Sequence, residues 1–481
     1  MPAVAYVLGL SLAASTLAYL LPIGCSLVMG DGLWPKFLLA AACAAAAGLI
    51  LAGLTRRFRR ELKPRDGFLL VTLGWLVLSG AAAVPLLLVL PDLSFTGAYF
   101  EAMSGLTTTG STVLTGLDAL PPSLNFWRHA LEWLGGLGII VMGLAVLPLL
   151  GVGGMQLYKG QAGAVKEERL TPRVTETARS LWLVYALLTA AGIIALRLAG
   201  MSWFDSVCHA FSAVGLGGFS THDRSVGYFN SPVIELTLSV LLLIAALNFA
   251  RHLLALRRLS LEPYKADPEC RPMFLILGLS VVGIAALLTA HGVYPEFLTA
   301  LRHSIFNVIS QATTSGLATE DTGQWPVFAP YWMLFLSCIV CSTGSPGGGI
   351  KMFRTLVLAR QTGRELKLLI HPAAMAPVRI GGRAVPETVA QAVLAFIFLY
   401  FMTASALTFA MLLTGLDFDS SFTVVVASIN NTARGFGPPG GIHNLHGLTA
   451  VQDWICIAAM LLGRLEIFSV IVLLKPAYWR K

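Results

Sequence analysis

The stretch "SFTGAYFEAMSGLTTTGST", residues 94–112, is apolar for about three helical turns and then abruptly small and hydroxylic. The pattern returns in "SWFDSVCHAFSAVGLGGFS" (202–220), "FLTALRHSIFNVISQATTSGLAT" (297–319) and "DFDSSFTVVVASINNTARGFG" (417–437). Aligning Ser104, Ser212 and Ser310 puts Gly110, Gly218 and Gly316 in one column without a gap. In the fourth copy the interval from Ser428 to Gly435 is one residue longer. One motif four times, roughly 100 residues apart, is a repeated structural unit.

The setting of these motifs is membrane. The chain is 56% hydrophobic and only 12% charged. Runs such as "FLLAAACAAAAGLILAGL" (37–54) and "VIELTLSVLLLIAALNFA" (233–250) approach the ~20 apolar residues that span a bilayer. The net charge is +8, which could suggest nucleic acid. The placement of the charge argues against that reading. Basic residues cluster in "RRFRRELKPR" (56–65), Lys159–Arg179, Arg251–Arg271, Lys351–Arg383 and "KPAYWRK" (475–481), after every second apolar run. This positive-inside pattern predicts ten spans with both termini cytoplasmic. It also suits anionic lipid or a docked cytosolic partner. No basic n-region marks a cleavable leader. The seven scattered cysteines, mostly in apolar runs, read as small core residues rather than disulfides or a metal site.

Each unit therefore reads as a span, a short re-entrant helix, an extended loop and a second span. A helix of about 12 residues cannot cross a bilayer. Non-helical backbone at that depth survives only when buried in protein or lining a water-filled cavity. Four such loops around one axis form a ring of carbonyls able to replace the hydration shell of a monovalent cation. Glycine suits the close, unusual backbone conformations this needs. The negative ends of the short helices face the interior. A dinucleotide reading of "GLGG" (215–218) fails, because no strand precedes it and no βαβ unit surrounds it.

These residues resemble the membrane subunits of Trk potassium-uptake systems (the TrkH/TrkG family), within the wider Trk/Ktr/HKT superfamily. The resemblance rests on "RDGFLLVTLGW" (65–75), "EAMSGLTTTGSTVL" (101–114), "WLGGLGIIVMGLAVLPLLGVGGMQLY" (133–158), "LTPRVTETA" (170–178), "LRHSIFNVISQATTSGLAT" (301–319) and "MLLGRLEIF" (460–468). It implies an all-α polytopic fold of ten transmembrane helices, with four pseudo-symmetric span–pore-helix–span repeats around a central ion pore. The expected division is an N-terminal helix pair (1–64) and pore repeats at 65–165, 166–262, 263–375 and 376–481. The resemblance further implies potassium as the transported ion, no bound cofactor, a homodimer in the bacterial cytoplasmic membrane, and regulation by a cytosolic TrkA-like nucleotide-binding ring. The family's filter maps onto Thr108, Thr109 and Gly110; Leu216, Gly217 and Gly218; Thr314, Ser315 and Gly316; and Gly435 with its neighbour Arg434. Serine at the first filter position accompanies sodium preference in the superfamily, and Gly110 matches the potassium-selective members. Two departures stand out. The fourth filter of the family reads N-N-x-G-P-G, whereas here Ala433 and Arg434 replace Gly-Pro. Gly97 stands where an acidic residue is usual. A guanidinium facing a cation path would repel the ion, so Arg434 is expected to point away.

The run "CSTGSPGGGIK" (341–351) superficially resembles a phosphate loop. A phosphate loop ends G-K-[ST] after a strand, whereas Gly349 is followed by Ile350, Lys351 and Met352. Gly and Pro break the helix here. The resemblance places an intramembrane gating loop at 341–350, with Ser342, Thr343, Gly344, Ser345, Gly347, Gly348 and Gly349 as its mobile part. An arginine inside a span is a functional residue by default. Arg464, in the last span, is expected to narrow the path below the filter. Glu132 and Asn248 read as packing or helix–helix hydrogen bonds.

The leading function is thus potassium uptake, with a sodium or unselective monovalent cation permease as the alternative. Whether transport is channel-like or coupled to another ion is open. A membrane-embedded enzyme would need a nucleophile–base or metal constellation. The nine histidines do not cluster at ligand spacing, and neither H-E-x-x-H nor G-x-S-x-G occurs.

Overall fold

The computed structural model describes residues 1–60, 62–145, 170–433 and 445–480. Among the described residues, six helices are long and apolar enough to cross a membrane: Pro2–Met29, Trp34–Phe58, Arg65–Val89, Glu176–Leu198, Cys270–Ala290 and Glu387–Leu413. Two bent pairs raise the number to eight, Pro232–Ala246 with Phe249–Arg258 (97°) and Ala450–Arg464 with Phe468–Leu474 (113°). Their outer faces keep large apolar side chains exposed, among them Leu49, Leu279 and Phe398. Such faces are stable against lipid rather than water.

The bends have local causes. At the first, Asn248 is extended and its side chain accepts from Ala250 N–H, capping a new helix. At the second, Glu466 and Ile467 both adopt positive φ (55° and 50°), which ends one helix and redirects the next. A third interruption lies between Phe328–Ile339 and Met352–Ile370 and consists of the glycine-rich run. It leaves the first of these helices too short to span alone.

Four short helices interleave with the long ones: Phe95–Leu106, Trp203–Gly215, Phe297–Ala312 and Phe418–Ile429. Ser94, Ser202 and Asp417 cap three of them, accepting from Gly97, Asp205 and Ser420 N–H respectively. Among the described residues, apolar packing gathers into four principal clusters, each drawing on one or two of the short helices and their neighbours. A two-stranded hairpin, Arg379–Ile380 with Arg383–Ala384, turns through Gly381 and Gly382, both at positive φ as a tight two-residue turn demands. Cys338 and Cys341, spaced C-x-x-C, are both free thiols, like the other five cysteines.

Candidate functional site

All four short helices end in the same way. The N–H of Thr109, Gly217, Ser315 and Thr432 reaches back five residues to the carbonyl of Ser104, Ser212, Ser310 and Ala427. The residue before each donates three residues back, to Gly105, Ala213, Gln311 and Ser428. This pair of bonds is a Schellman cap, whose left-handed position is normally glycine. Here it is held by Thr108 (φ 52°), Leu216 (53°), Thr314 (63°) and Asn431 (51°). A side chain in that region costs on the order of 1–3 kcal/mol and persists only where the surroundings enforce it. In three units a serine enforces it: Ser104 and Ser310 each donate to the carbonyl seven residues on, both at 2.6 Å, and Ser212 Oγ lies 2.9 Å from the equivalent Phe219 carbonyl, its single proton shared between that oxygen and Glu132.

The cap sets the register of the fourth unit. Ala427, not Ser428, occupies the Ser104 column, so Ala433 falls in the column of Gly110, Gly218 and Gly316. The one-residue insertion expected from the sequence is therefore absent up to that column. Arg434 and Gly435, expected in the filter, lie outside the described residues.

The four column residues converge. A Cβ on Gly110 would lie 2.1 Å from Gly218 N, and one on Gly218 or Gly316 would lie 2.3 or 2.6 Å from Ala433 Cβ. Gly110 and Gly316 have φ of 75° and 77°, a conformation side chains rarely adopt. Hydrogen bonds tie the loops to one another: Ser315 Oγ to Gly217 O (2.7 Å), Ser111 Oγ to Ala433 O (3.3 Å) and Asn431 Nδ2 to Thr109 Oγ1 (3.0 Å). Thr108, Thr109, Thr314 and Ser315 are buried, yet among the described residues no donor reaches their carbonyl oxygens. Buried carbonyls of this kind require a partner.

Buried polar side chains brace the loops from behind. Glu101 accepts from Thr112 Oγ1 and from Val113 and Leu114 N–H, and it pairs with Arg128 at 3.1 Å. His209 and Asn307, at the equivalent positions, contact Ser220 Oγ and Thr319. Glu132, on the helix Pro122–Ala145, accepts from Ser212 Oγ, Gly218 N–H and Phe219 N–H.

The glycine-rich run lies directly against this ring. Gly348 N–H donates to Thr314 Oγ1 (3.1 Å), and a Cβ on Gly348 would sit 1.9 Å from Asn430 O. Phe249 N–H donates to Gly344 O, Ser342 N–H to Ala246 O, and Thr343 N–H to the buried Glu269. Arg464, 3% exposed, donates from Nη1 to Pro346 O (2.7 Å) and from Nη2 to Gly135 O (3.0 Å). Lys351, expected to open the cytoplasmic basic face, instead turns inward and donates from Nζ to Ser345 O. A cavity beside the run is lined by Asn248, Thr343, Lys351, Asn431, Arg464 and Glu466.

On the other flank of the ring, His222 pairs with Asp118 and lies 3.5 Å from Asp205, stacked on Tyr228. Burial alone would push this imidazole down, but its bonds to the two carboxylates outweigh it and hold it above the usual histidine range. At Asp118 burial would raise the carboxyl, yet the His222 bond outweighs it and holds the group below its ordinary value.

The sequence profile described as "Cation transport protein", TrkH, matches residues 35–481. The chain belongs to the TrkH family. It is 43% identical over 482 residues to the Trk system potassium uptake protein TrkH of Salmonella typhimurium, covering 100% of this chain and 99% of the relative. It is 44% identical to the TrkH of Halomonas elongata, covering 99% and 98%. Its fold matches the crystal structure of the potassium transporter TrkH from Vibrio parahaemolyticus with a TM-score of 0.92 at 39% identity, covering 100% and 99%. As a TrkH-family member it is a multi-pass membrane transport protein and not an enzyme.

Within this TrkH fold, the three loops that hold nine of the expected filter residues converge on one another, and the glycine-rich run touches them through Gly348 and Thr314 and is joined to Arg464 through Pro346. Sequence reading missed four contributors. Ala433 was hidden by the apparent insertion. Asn431 was hidden because Asn at a left-handed cap looks like an ordinary turn residue. Glu132 and Asn248 were assigned to packing, although a carboxylate inside a span was the available signal.

Proposed function

We propose that the protein carries potassium inward through the ring formed by Thr108–Gly110, Leu216–Gly218, Thr314–Gly316 and the fourth loop. The observation that carries this reading is the convergence of four identically capped loops, with the buried carbonyls of Thr108, Thr109, Thr314 and Ser315 lacking donors among the described residues. A dehydrated monovalent cation is the partner that such oxygens suit. The relatives named for potassium uptake support the choice of ion. The membrane potential supplies the drive, roughly 2.3 kcal/mol per charge per 100 mV.

In this reading the glycine-rich run and Arg464 form the gate below the ring. The chain is a ten-span, four-repeat subunit in the cytoplasmic membrane, with both termini inside. It pairs with a second copy and is regulated by a cytosolic nucleotide-binding ring. Rubidium and sodium fluxes measured in one proteoliposome preparation test it. Rubidium flux well above sodium flux is expected, and equal fluxes overturn potassium selectivity. Ala433 favours a second reading, an unselective monovalent cation permease, because it places a methyl group where the other three units have none. Equal fluxes are its expected result.

A further inference from the structure

Column by column, the residue before the converging position is Thr109, Gly217, Ser315 and Thr432. The lone glycine has a structural cause. A Cβ on Gly217 would lie 2.3 Å from Glu132 Cδ and 2.4 Å from its Oε1. The space that a side chain fills in the other units is taken here by a carboxylate from a different unit of the fold.

That carboxylate is fully buried and meets only donors in the second loop. Oε1 accepts from Gly218 N–H at 2.8 Å and Phe219 N–H at 2.9 Å, and Oε2 accepts from Ser212 Oγ at 2.6 Å. A trans peptide holds its N–H and C=O on opposite edges. Fixing these two N–H groups toward Glu132 therefore aims the Gly217 and Gly218 carbonyls to the opposite side. The Gly217 carbonyl does face the third loop, where it accepts from Ser315 Oγ at 2.7 Å. In the first and third units the bracing side chains, Glu101 and Asn307, take backbone N–H groups three or four residues beyond the converging position. Glu132 grips the converging residue itself.

We infer that Glu132 is a positioning residue for ion selectivity, locking two peptide planes of the second loop so that their carbonyls face the ion path. This rests on the filter reading above. It is a role in holding backbone, not in presenting charge, so the isosteric amide should retain it: a glutamine oxygen can accept from both N–H groups.

The test compares wild type, Glu132→Gln and Glu132→Ala, each purified as a monodisperse species and reconstituted at equal protein. The readout is the ratio of rubidium to sodium flux. Wild type should favour rubidium, Glu132→Gln should stay within about threefold of it, and Glu132→Ala should lose about tenfold or more of the ratio, as expected when two buried N–H groups lose their acceptor. Where Glu132→Ala does not yield monodisperse protein, Glu132→Asp, which withdraws the carboxylate by one methylene, is judged on the same criterion. A wild type with no preference overturns the filter reading and the inference with it. A selective wild type with an unchanged ratio in the Ala or Asp variant overturns the inference alone. Equal loss in the Gln variant also overturns it, by assigning the effect to charge.

Discussion

Arg464 and Pro346 are joined by a 2.7 Å hydrogen bond from guanidinium to backbone carbonyl, which ties the last span to the glycine-rich run. The second arm of the same guanidinium holds Gly135 O on a helix of the first unit. One side chain thus cross-links three parts of the fold beneath the converging loops. A buried charge held only by carbonyl dipoles keeps most of its field. In the proposed gate, that charge is what raises the barrier for a passing cation.

Arg464→Ala removes both functions. Passive rubidium leak into proteoliposomes should rise several-fold at equal reconstituted protein. Arg464→Lys, a single-point donor unable to span both carbonyls, should fall between. An unchanged or lower leak in the Ala variant would remove Arg464 from the barrier.

Gly348 tests whether the run is slack or packed. Its missing Cβ would lie 1.9 Å from Asn430 O, a backbone atom that cannot rotate away. Gly348→Ala should displace the run and lower stability in detergent by about 1–3 kcal/mol. Gly363, within the helix Met352–Ile370, has open space at the same position. Gly363→Ala should be neutral or stabilising by up to about 1 kcal/mol. Intrinsic-fluorescence melting of the two variants side by side gives the comparison, and equal melting points would restore a slack run.

That contrast also marks what the sequence could tell. The repeat was legible because its signal is covalent: Ser104, Ser212 and Ser310 stand six residues before a glycine, and that spacing is what the cap requires. The role of the glycines at 347–349 was read as freedom to move, because three adjacent glycines look the same whether they supply flexibility or make room. Only the neighbours, Cys341, Asn430 and Ser337, decide for room. The fourth unit was misaligned because its cap uses Ala427, which lacks the hydroxyl that marks the other three. Glu132 was invisible as a brace because its partners, the Ser212 hydroxyl and two backbone N–H groups, are 80 or more residues away, and backbone N–H groups leave no trace in a sequence.

The His222–Asp118 pair predicts a pH dependence confined to the loops outside the spans. His222 is held above its unfolded value, so its contribution is fully present below about 6.5 and fades as pH rises through its own higher pKa. Asp118 is held below its unfolded value, so its share is lost only in acid, as pH falls through that lowered pKa. Melting temperature should therefore decline from near-neutral into alkaline pH, and His222→Gln should flatten that decline. A wild-type curve already flat over this range would show that the pair contributes nothing to stability.

Ala433 and Gly218 offer a reciprocal test of the fourth unit's register. Gly218 is not at positive φ, so alanine there meets no backbone penalty of its own. What excludes it is contact: the added Cβ would sit 2.3 Å from Ala433 Cβ and 2.4 Å from Ser315 O. Gly218→Ala should therefore reduce rubidium flux strongly. Ala433→Gly, which removes one of the two obstructions, should be tolerated alone and should recover part of the flux in the double variant, because contacting residues couple by about 0.5–3 kcal/mol. Were the converging residue Gly435 instead, Ala433→Gly would have no bearing on Gly218→Ala and the two effects would simply add. The double-mutant cycle on rubidium flux thus decides the register from function, independently of the backbone pattern that assigns it.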